Sequence, residues 1–307
     1  MSEEDLFFSG VYAAALTPLT VSGDPNVDLM AYHCRWLLNN GCDGLAVLGT
    51  TGEANSFSVK ERINILDGLV EKGVPSDTLL PGTGSCALPD AVELTRAALR
   101  NGMSGVLMLP PFYYKNPSED GLFAAYSEII QQVGDASLKI CLYHFPQMSG
   151  VPIPFSLIER LLKEYPGTVV GVKDSSGDSE NMFGLVKNFP GFSVFSGSDE
   201  LLLPLICEGG AGCITACANV GSSLAGNIYQ GWKNGDDVTS IHETLTSLRD
   251  VVVKYPLATA LKTLIARHYG NEEWLNIRAP LIKMSNEKSD ALFRAFDAVE
   301  FSIPSVN

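Results

Sequence analysis

Short apolar runs alternate with longer segments of helical character along most of the chain. Eight such runs predict β-strands, at residues 11–17, 44–49, 78–84, 105–111, 139–146, 169–176, 192–198 and 212–217. Near-continuous apolar strands separated by helices are typical of a parallel sheet that is buried on both faces. Eight strand and helix units therefore predict an α/β fold, a closed (β/α)8 TIM barrel, with an open doubly wound sheet as the alternative.

Glycines and capping residues indicate where helices end and begin. A helical stretch ends in glycine and leads into an apolar run at residues 38–47 and 99–108, which is the pattern of a helix C-cap before a buried strand. Ser58 and Asp90 each stand three residues before a glutamate, and this spacing predicts a capping box at the start of a helix.

The chain after the eighth run is mainly helical and is longer than one barrel helix requires. No Gly/Ser-rich or Pro-rich linker and no charge block interrupts the sequence, so no mid-chain domain boundary is predicted. We expect a catalytic barrel at residues 1–220, followed at residues 221–307 by the last barrel helix and a C-terminal helical extension.

Composition and charge narrow the classes of partner. The chain has 307 residues, of which 46% are hydrophobic, and a formal net charge of −14 without any Lys/Arg cluster. Such a surface repels polyphosphate backbones, so nucleic acid is not an expected partner, although a local basic pocket for a small anion stays open. The apolar runs are too short to span a bilayer, and the acidic start lacks the basic region of a signal peptide, so no membrane association is expected.

The seven cysteines indicate a reducing compartment. They form no C-x-x-C pair, their number is odd and several lie in apolar runs, which favours reduced, buried thiols and a cytoplasmic location. The four histidines lack H-E-x-x-H spacing, and no Cys/His set has zinc spacing, so no metal centre is predicted.

Lys173 is the strongest candidate for chemistry, because it follows four small or apolar residues in the predicted sixth strand. Strand alternation would point Lys173 and Asp174 to opposite faces, so the aspartate is not its natural ion partner. A lysine that faces apolar barrel walls loses hydration of its ammonium form, which favours a neutral amine that can attack a carbonyl. The alternative is a lysine at a strand end that reaches solvent.

The predicted fifth strand ends in Tyr143, which shares strand parity with Cys141 and neighbours the strand of Lys173. A phenol at this position could move protons as a carbinolamine dehydrates, or it could be a core tyrosine that hydrogen-bonds a backbone carbonyl. His144 would point to the other face and is expected to be structural.

The predicted second strand leads into the sequence GTTGE at residues 49–53. Gly49 and the second glycine permit a tight turn with converging backbone N–H groups, and the hydroxyls of Thr50 and Thr51 suit a carboxylate better than a triphosphate. The spacing and the lysine of a phosphate-binding loop are missing. An ordinary strand-to-helix turn is the alternative.

Four motifs occur in the order and spacing of one known family. They are GTTGE at residues 49–53, PPFYYK at 110–115, Y-x-x-P at 143–146 and GVKDSSG at 171–177. With these motifs the sequence resembles the dihydrodipicolinate synthase / N-acetylneuraminate lyase family over nearly its whole length. The resemblance implies a homotetrameric (β/α)8 enzyme without metal or organic cofactor, in which Lys173 forms a covalent imine with pyruvate or a pyruvate-containing substrate.

The resemblance also implies roles for the motif residues. Tyr143 would be the acid/base residue over the imine, and Thr50 and Thr51 would hold the carboxylate of the 2-keto acid. Gly197 and Ile214 match backbone and wall positions around the bound keto acid.

A tyrosine from the second motif would complete a proton relay in a neighbouring subunit. Tyr113 matches that position, and a one-residue insertion at Asn116 leaves Tyr114 as the alternative.

Departures from the family pattern bear on the substrate. Met148 stands where dihydrodipicolinate synthases carry an arginine for the second substrate, and a thioether cannot form a bidentate ion pair with a carboxylate. Asp199 and Glu200 resemble the lyase pattern and could accept hydrogen bonds from sugar hydroxyls. Ala216 replaces a serine that contacts the sugar in such lyases, which argues against sialic acid itself.

The resemblance therefore predicts a Schiff-base lyase that cleaves or condenses pyruvate with an aldehyde, on a substrate of the 2-keto-3-deoxy sugar acid type. Two alternatives use the same imine: 4-hydroxy-tetrahydrodipicolinate synthase, acting on pyruvate and aspartate semialdehyde, and a dehydratase of a keto-deoxy acid. A non-catalytic keto-acid sensor is the alternative from another class.

Overall fold

The computed structural model describes residues 6–305, and this part of the chain contains one parallel sheet of seven strands in the order β2-β1-β7-β6-β5-β4-β3. The strands are β1 (Gly10–Ala13), β2 (Gly44–Leu45), β3 (Val106–Met108), β4 (Ile140–His144), β5 (Val169–Asp174), β6 (Ser193–Ser196) and β7 (Gly212–Thr215). Each strand lies within or next to a predicted apolar run.

The predicted strand at residues 78–84 closes the sheet, although it is too irregular to count as a strand. Leu80 N donates to Leu45 O on β2 at 2.9 Å, and Thr83 N donates to Leu107 O on β3 at 3.0 Å. The segment thus joins the two outer strands and completes the eight-membered ring. The predicted TIM barrel is confirmed, and the open doubly wound sheet is excluded.

The irregularity has a local cause. Pro81 lacks an N–H group and cannot donate to a neighbouring strand. Gly82 allows the chain to pass close to the segment that follows β2, because a Cβ atom at this position would lie 2.3 Å from the backbone oxygen of Leu48. The segment therefore forms isolated bridges in place of a regular ladder.

The described part of the chain also contains twelve α-helices. They are α1 (Val27–Asn39), α2 (Val59–Glu71), α3 (Leu88–Arg100), α4 (Glu119–Val133), α5 (Pro146–Ser149), α6 (Phe155–Glu164), α7 (Ser179–Asn188), α8 (Leu202–Cys207), α9 (Ala218–Asn234), α10 (Thr239–Val252), α11 (Leu257–Tyr269) and α12 (Asn286–Asp297). No helix of residues 6–305 is both long and apolar enough to cross a membrane.

One of the two predicted capping boxes is present. The Ser58 side chain accepts a hydrogen bond from Glu61 N, and the Glu61 carboxylate accepts one from Ser58 N. The prediction for α3 is wrong, because Asp90 lies inside the first turn and the helix begins two residues earlier. Pro89 explains the difference, since its fixed φ angle favours the first turn of a helix.

Apolar side chains form an inner and an outer layer around the strands. The inner layer fills the barrel and includes Tyr12, Cys141, Phe195 and Ile214. A larger cluster lies between the strands and the surrounding helices. Side chains alternate along each strand, so one set packs inside the barrel and the other packs between the strands and the helices.

The helices after β7 build a third apolar cluster around Trp274, which packs on the barrel through residues such as Leu16 and Val220. Helices α10, α11 and α12 belong to this C-terminal extension. Residue 220, where we predicted the barrel to end, lies inside α9, and the division of the chain at that point stays a prediction.

Candidate active site

Lys173 lies on β5 with its side chain inside the barrel and only 5% exposed. Its neighbours in register are Tyr143 on β4 and Phe195 on β6. The Nζ atom stands 4.3 Å from the centre of the Tyr143 ring. The amine and the phenol that the sequence singled out are therefore adjacent, and the alternative of a solvent-exposed lysine is excluded.

A β-bulge sets the parity that turns both side chains inward. The register between β4 and β5 shifts after Ile140, so that Val170 becomes the extra residue of β5. From Cys141 onward, Tyr143 pairs with Lys173, and side chains of paired residues point to the same face. Burial raises the pKa of the Cys141 thiol to about 12, which keeps this neighbour of the lysine protonated and neutral.

Asp174 points away from the barrel interior, as strand alternation predicts. Its Oδ1 atom accepts a hydrogen bond from Ser176 N at 2.7 Å, and Oδ2 accepts one from Asn181 Nδ2 at 2.6 Å. The carboxylate thereby orders the turn into α7 and is not the ion partner of Lys173.

His144 also points away from the barrel interior, and its Nδ1 accepts a hydrogen bond from Ile153 N at 3.0 Å.

The GTTGE segment forms a compact turn at the end of β2. Leu48, which precedes it, and Glu53, its last residue, have φ angles of 54° and 57°, a conformation that is uncommon for residues with a side chain. Gly52 approaches the β1 side closely, where Thr17 Oγ1 donates to Gly52 O at 2.8 Å. Non-glycine residues at positive φ often occur at functional turns, which suits a binding role for this segment.

The turn borders a small cleft that also reaches Tyr143. Gly49 and Thr50 line the cleft, whereas Thr51 is buried with 8% of its surface exposed. One predicted carboxylate-binding threonine, Thr50, therefore lines the same cleft as Tyr143, whose ring lies against Lys173.

Arg62, which lines the same cleft, was missed by the sequence reasoning. It lies on α2 and is buried together with Ile65, Leu66 and Leu69, at the spacing of one helix face. An arginine on the apolar face of a predicted helix could have been recognised in the sequence as unusual, because charged side chains are rarely fully buried unless they are paired.

Gly197 and Ile214 occupy positions at the barrel mouth and in its wall. Gly197 N donates to Asp174 O at 2.7 Å, and a Cβ atom on Gly197 would lie 2.0 Å from the Oγ of Ser175. Only glycine allows the turns after β5 and β6 to approach so closely. Ile214 belongs to the inner barrel cluster and pairs with Tyr12 on β1.

Asp199 and Glu200 form a cluster with Arg249 of α10. Arg249 Nη1 stands 3.4 Å from Asp199 Oδ2, and its Nε contacts a carboxylate oxygen of Glu200. Asp199 is fully buried, and this burial raises the pKa of its carboxyl group. Both acids thus contact the C-terminal extension through Arg249.

Ala216 packs in the C-terminal cluster, not in the inner barrel.

The remaining predicted site residues lie at the surface of the single chain. Tyr113, Tyr114 and Met148 are 73%, 80% and 62% exposed, respectively. Lys115 fixes the tyrosine segment beside α5, which carries Met148, because its Nζ donates to Ser149 O at 2.7 Å. None of the three exposed side chains lines the cleft.

Among residues 6–305, no group of three or more His, Cys, Asp or Glu could hold a metal ion.

Comparison with known proteins decides the family. The sequence model of the Dihydrodipicolinate synthetase family matches residues 7–299. The chain belongs to the dihydrodipicolinate synthetase family. It is also 35% identical, over 94% of its length and 96% of the relative, to an uncharacterized DapA-like lyase of Chloroflexus aurantiacus.

Solved structures of the dihydrodipicolinate synthetase family share the fold. Dihydrodipicolinate synthase from Agrobacterium tumefaciens superimposes with a TM-score of 0.87 at 32% identity, and the match covers 94% of this chain and 99% of that one. YagE from Escherichia coli, crystallised with pyruvate, has a TM-score of 0.88 at 23% identity, with 96% and 100% covered. The chain is therefore a lyase of the class I aldolase type, the class in which a lysine forms the Schiff base.

Proposed function

We propose that the protein cleaves or forms a carbon–carbon bond between pyruvate and an aldehyde, on a substrate of the 2-keto-3-deoxy sugar acid type. The observation that carries the proposal is the buried Lys173 amine, 4.3 Å from the Tyr143 ring at the mouth of the barrel. In support, YagE, which has the same fold, is described in complex with pyruvate.

The proposed reaction begins when the neutral Lys173 amine attacks the C2 carbonyl of the keto acid. The resulting carbinolamine loses water to give an imine, and Tyr143 supplies and removes the protons of this step. Thr50 and Thr51 hold the carboxylate. In cleavage, Tyr143 takes the proton of the C4 hydroxyl while the C3–C4 bond breaks. The electron pair of that bond enters the protonated imine to form an enamine, and the aldehyde leaves. Protonation of the enamine and hydrolysis release pyruvate and the free lysine.

The surroundings of Lys173 support this chemistry. Phe195, Cys141 and Ile214 line the barrel interior, so the site around the amine is apolar and its thiol neighbour is uncharged. No metal or organic cofactor is required by the proposed steps.

Borohydride reduction in the presence of pyruvate tests the mechanism. We expect peptide mass spectrometry to find a reduced pyruvate adduct on Lys173 in the wild type. The adduct and the activity should both disappear in Lys173→Met, whereas the exposed-lysine control Lys163→Met should keep both. An adduct on another lysine, or none, would contradict the Schiff-base assignment and would favour a keto-acid sensor.

Substrate choice is tested with pyruvate and a panel of aldehydes: aspartate semialdehyde, glyceraldehyde and N-acetylmannosamine. Met148 cannot form a bidentate ion pair and is largely exposed, so we expect no preference for aspartate semialdehyde. Such a preference would instead assign the protein as a 4-hydroxy-tetrahydrodipicolinate synthase. Loss of water from a keto-deoxy acid without release of pyruvate would assign it as a dehydratase.

We also propose that the protein acts as a cytoplasmic homotetramer. Tyr113 and Tyr114 form an exposed aromatic pair, with ring centres 5.3 Å apart, of the kind that a subunit contact would cover. All seven cysteines are free, and five of them are buried, which suits a reducing compartment. Native mass spectrometry of the wild type and of Tyr113→Ala should report the subunit number and whether this pair contributes to it.

A further inference from the structure

Phe145 follows directly after β4, at the mouth of the barrel. It lies two residues after Tyr143 and four after Cys141, so strand alternation turns its side chain to the same face. The side chain is half-buried and packs against the inner barrel cluster that contains both of these residues. The carboxyl ends of barrel strands form the ligand face, so Phe145 lies one layer nearer the opening than Tyr143.

The ring of Tyr143 packs on the ring of Phe145. The two ring centres are 5.8 Å apart and the ring planes differ by 25°, which is an offset stack. The Nζ atom of Lys173 lies 4.3 Å from the centre of the same phenol ring. Tyr143 therefore contacts both the candidate nucleophile and the aromatic side chain at the opening.

Packing has a larger share than usual in orienting this phenol. Within residues 6–305 of one chain, the Tyr143 hydroxyl forms no hydrogen bond. A hydrogen bond usually fixes the hydroxyl of a buried tyrosine. Since this restraint is missing within the chain, the contacts of the Tyr143 ring determine its torsion angles and the direction of its hydroxyl.

The backbone that carries the Phe145 ring is fixed by α5. The carbonyl oxygen of Phe145 accepts hydrogen bonds from Met148 N at 3.0 Å and from Ser149 N at 2.8 Å. Pro146 follows, and a proline restricts the backbone conformation of the residue before it. The ring that packs on Tyr143 is thus attached to a rigid part of the chain.

We propose that Phe145 is a positioning residue for Tyr143. Its ring holds the phenol in the orientation in which the hydroxyl reaches the imine on Lys173, and it covers the phenol on the side of the opening. The inference rests on the proposed function, because it takes Tyr143 as the acid/base residue of the Schiff-base reaction. Phe145 supplies no proton itself, so its removal should slow proton transfer and leave the nucleophile in place.

Replacement of the ring tests the assignment. In Phe145→Leu we expect kcat with pyruvate and the preferred aldehyde to fall by about 10- to 100-fold, the effect of a small displacement of a catalytic group. KM for pyruvate should change little, because Lys173 is retained. Phe145→Tyr, which keeps the ring, should recover most of the loss. The control Phe155→Leu removes a half-buried ring that contacts Phe189 outside the barrel, and it should keep kcat unchanged.

A double-mutant cycle with Tyr143→Phe separates positioning from a merely structural role. If Phe145 acts through the Tyr143 hydroxyl, Phe145→Leu should slow the reaction little further once that hydroxyl is removed. The readout is the rate at which pyruvate becomes trappable by borohydride on Lys173, which can be followed even when turnover is slow. Thermal unfolding reports whether each variant is folded, and Phe145→Met, a second variant without the ring, repeats the test.

Two outcomes would overturn the assignment. The first is a wild-type kcat in Phe145→Leu. The second is an effect of Phe145→Leu that has the same size with and without the Tyr143 hydroxyl, which would make Phe145 a packing residue only. Absence of the Lys173 adduct in the wild type, or an unchanged kcat in Tyr143→Phe, would instead refute the proposed function on which the inference rests.

Discussion

At the scale of single residues, the proposed chemistry depends on the contact between Lys173 and the Tyr143 ring. Tyr143→Phe keeps the ring and removes only the hydroxyl, so it separates packing from proton transfer. We expect kcat to fall by about 100- to 10,000-fold, the range for loss of a general acid/base. Steady-state kinetics with pyruvate and an aldehyde would measure this. Tyr165→Phe, whose hydroxyl accepts a hydrogen bond from Gln131 outside the barrel, is the control.

Retention of more than a tenth of kcat in Tyr143→Phe would contradict the acid/base role. In that case the hydroxyl would be a core group, as the residue pattern alone allowed, and another proton carrier would have to serve the imine.

His33 is a second residue whose chemistry is decided by its surroundings. It is fully buried on α1, with Nδ1 2.8 Å from Tyr269 Oη and Nε2 3.1 Å from Asn219 Oδ1. A neutral ring satisfies both contacts, since Nδ1 can accept from the phenol while Nε2 donates to the amide oxygen. Burial, which outweighs the Asn219 contact, lowers the pKa of His33 to about 4 from its ordinary value of 6.5.

The lowered pKa makes stability depend on pH. Between pH 6.5 and 4 the unfolded chain binds a proton at His33 that the folded protein does not, so the free energy of unfolding falls as the pH falls through this window. The contribution of His33 is on the order of 3 kcal/mol over the whole window and is complete above pH 6.5. Urea unfolding of the wild type and His33→Gln at several pH values would measure the difference in slope. Equal slopes would show that His33 is already protonated in the folded protein.

At the scale of elements, the barrel closes through a segment that is barely a strand. Gly82 lets the chain pass within hydrogen-bonding distance of the segment that follows β2, since a Cβ atom on residue 82 would lie 2.3 Å from Leu48 O. We expect Gly82→Ala to lower the free energy of unfolding by at least about 2 kcal/mol, because backbone must move to relieve the overlap. Urea unfolding is the measurement.

Gly121→Ala is the matched control for this change. Gly121 lies in the first turn of α4, where a Cβ atom would meet only Ser118 Oγ at 3.3 Å. Alanine favours the helix over glycine, so this variant should be as stable as the wild type or slightly more stable. If both variants behaved alike, close approach at Gly82 would not be what holds the ring closed.

At the scale of the whole molecule, an ion pair joins the candidate site to the C-terminal extension. Glu53, the last residue of the GTTGE turn, contacts Lys262 of α11, and both side chains are at most 2% exposed. Lys262 Nζ also donates to Asn276 O at 2.9 Å, and Glu53 Oε2 accepts from Arg278 N at 3.1 Å. The extension therefore holds the turn that borders the cleft.

Removing one charge of the Glu53–Lys262 pair should lower the free energy of unfolding more than removing both charges. Glu53→Gln leaves a buried lysine without its counter-charge, and we expect a loss of about 3–5 kcal/mol in the free energy of unfolding. Lys262→Met should be comparably harmful, while the double variant should lose much less than the sum. A double-mutant cycle by urea unfolding measures the coupling. Additive losses would mean that the two charges do not interact.

The local pattern of the chain was sufficient for the barrel, but it left the role of Lys173 open between a nucleophile and a lysine that reaches solvent. Eight apolar runs indicated eight units, because strand and helix periodicities are properties of neighbouring residues. Alternation predicted that Lys173 and Asp174 point to opposite faces, without deciding which of them faces the barrel. The bulge before Cys141 pairs Tyr143 with Lys173. The motif resemblance added the family, which matches residues 7–299.

Contacts between distant segments could be settled only by the tertiary structure. In the sequence, Asp199 and Glu200 were candidates to accept hydrogen bonds from sugar hydroxyls. Arg249 lies about fifty residues away and reaches them only because α10 packs beside the turn after β6. Arg62 looked like one more helical arginine until the packing of α2 buried it and directed it to the cleft with Thr50. Periodicity determines which face a side chain occupies, whereas the partner across that face depends on how whole elements pack.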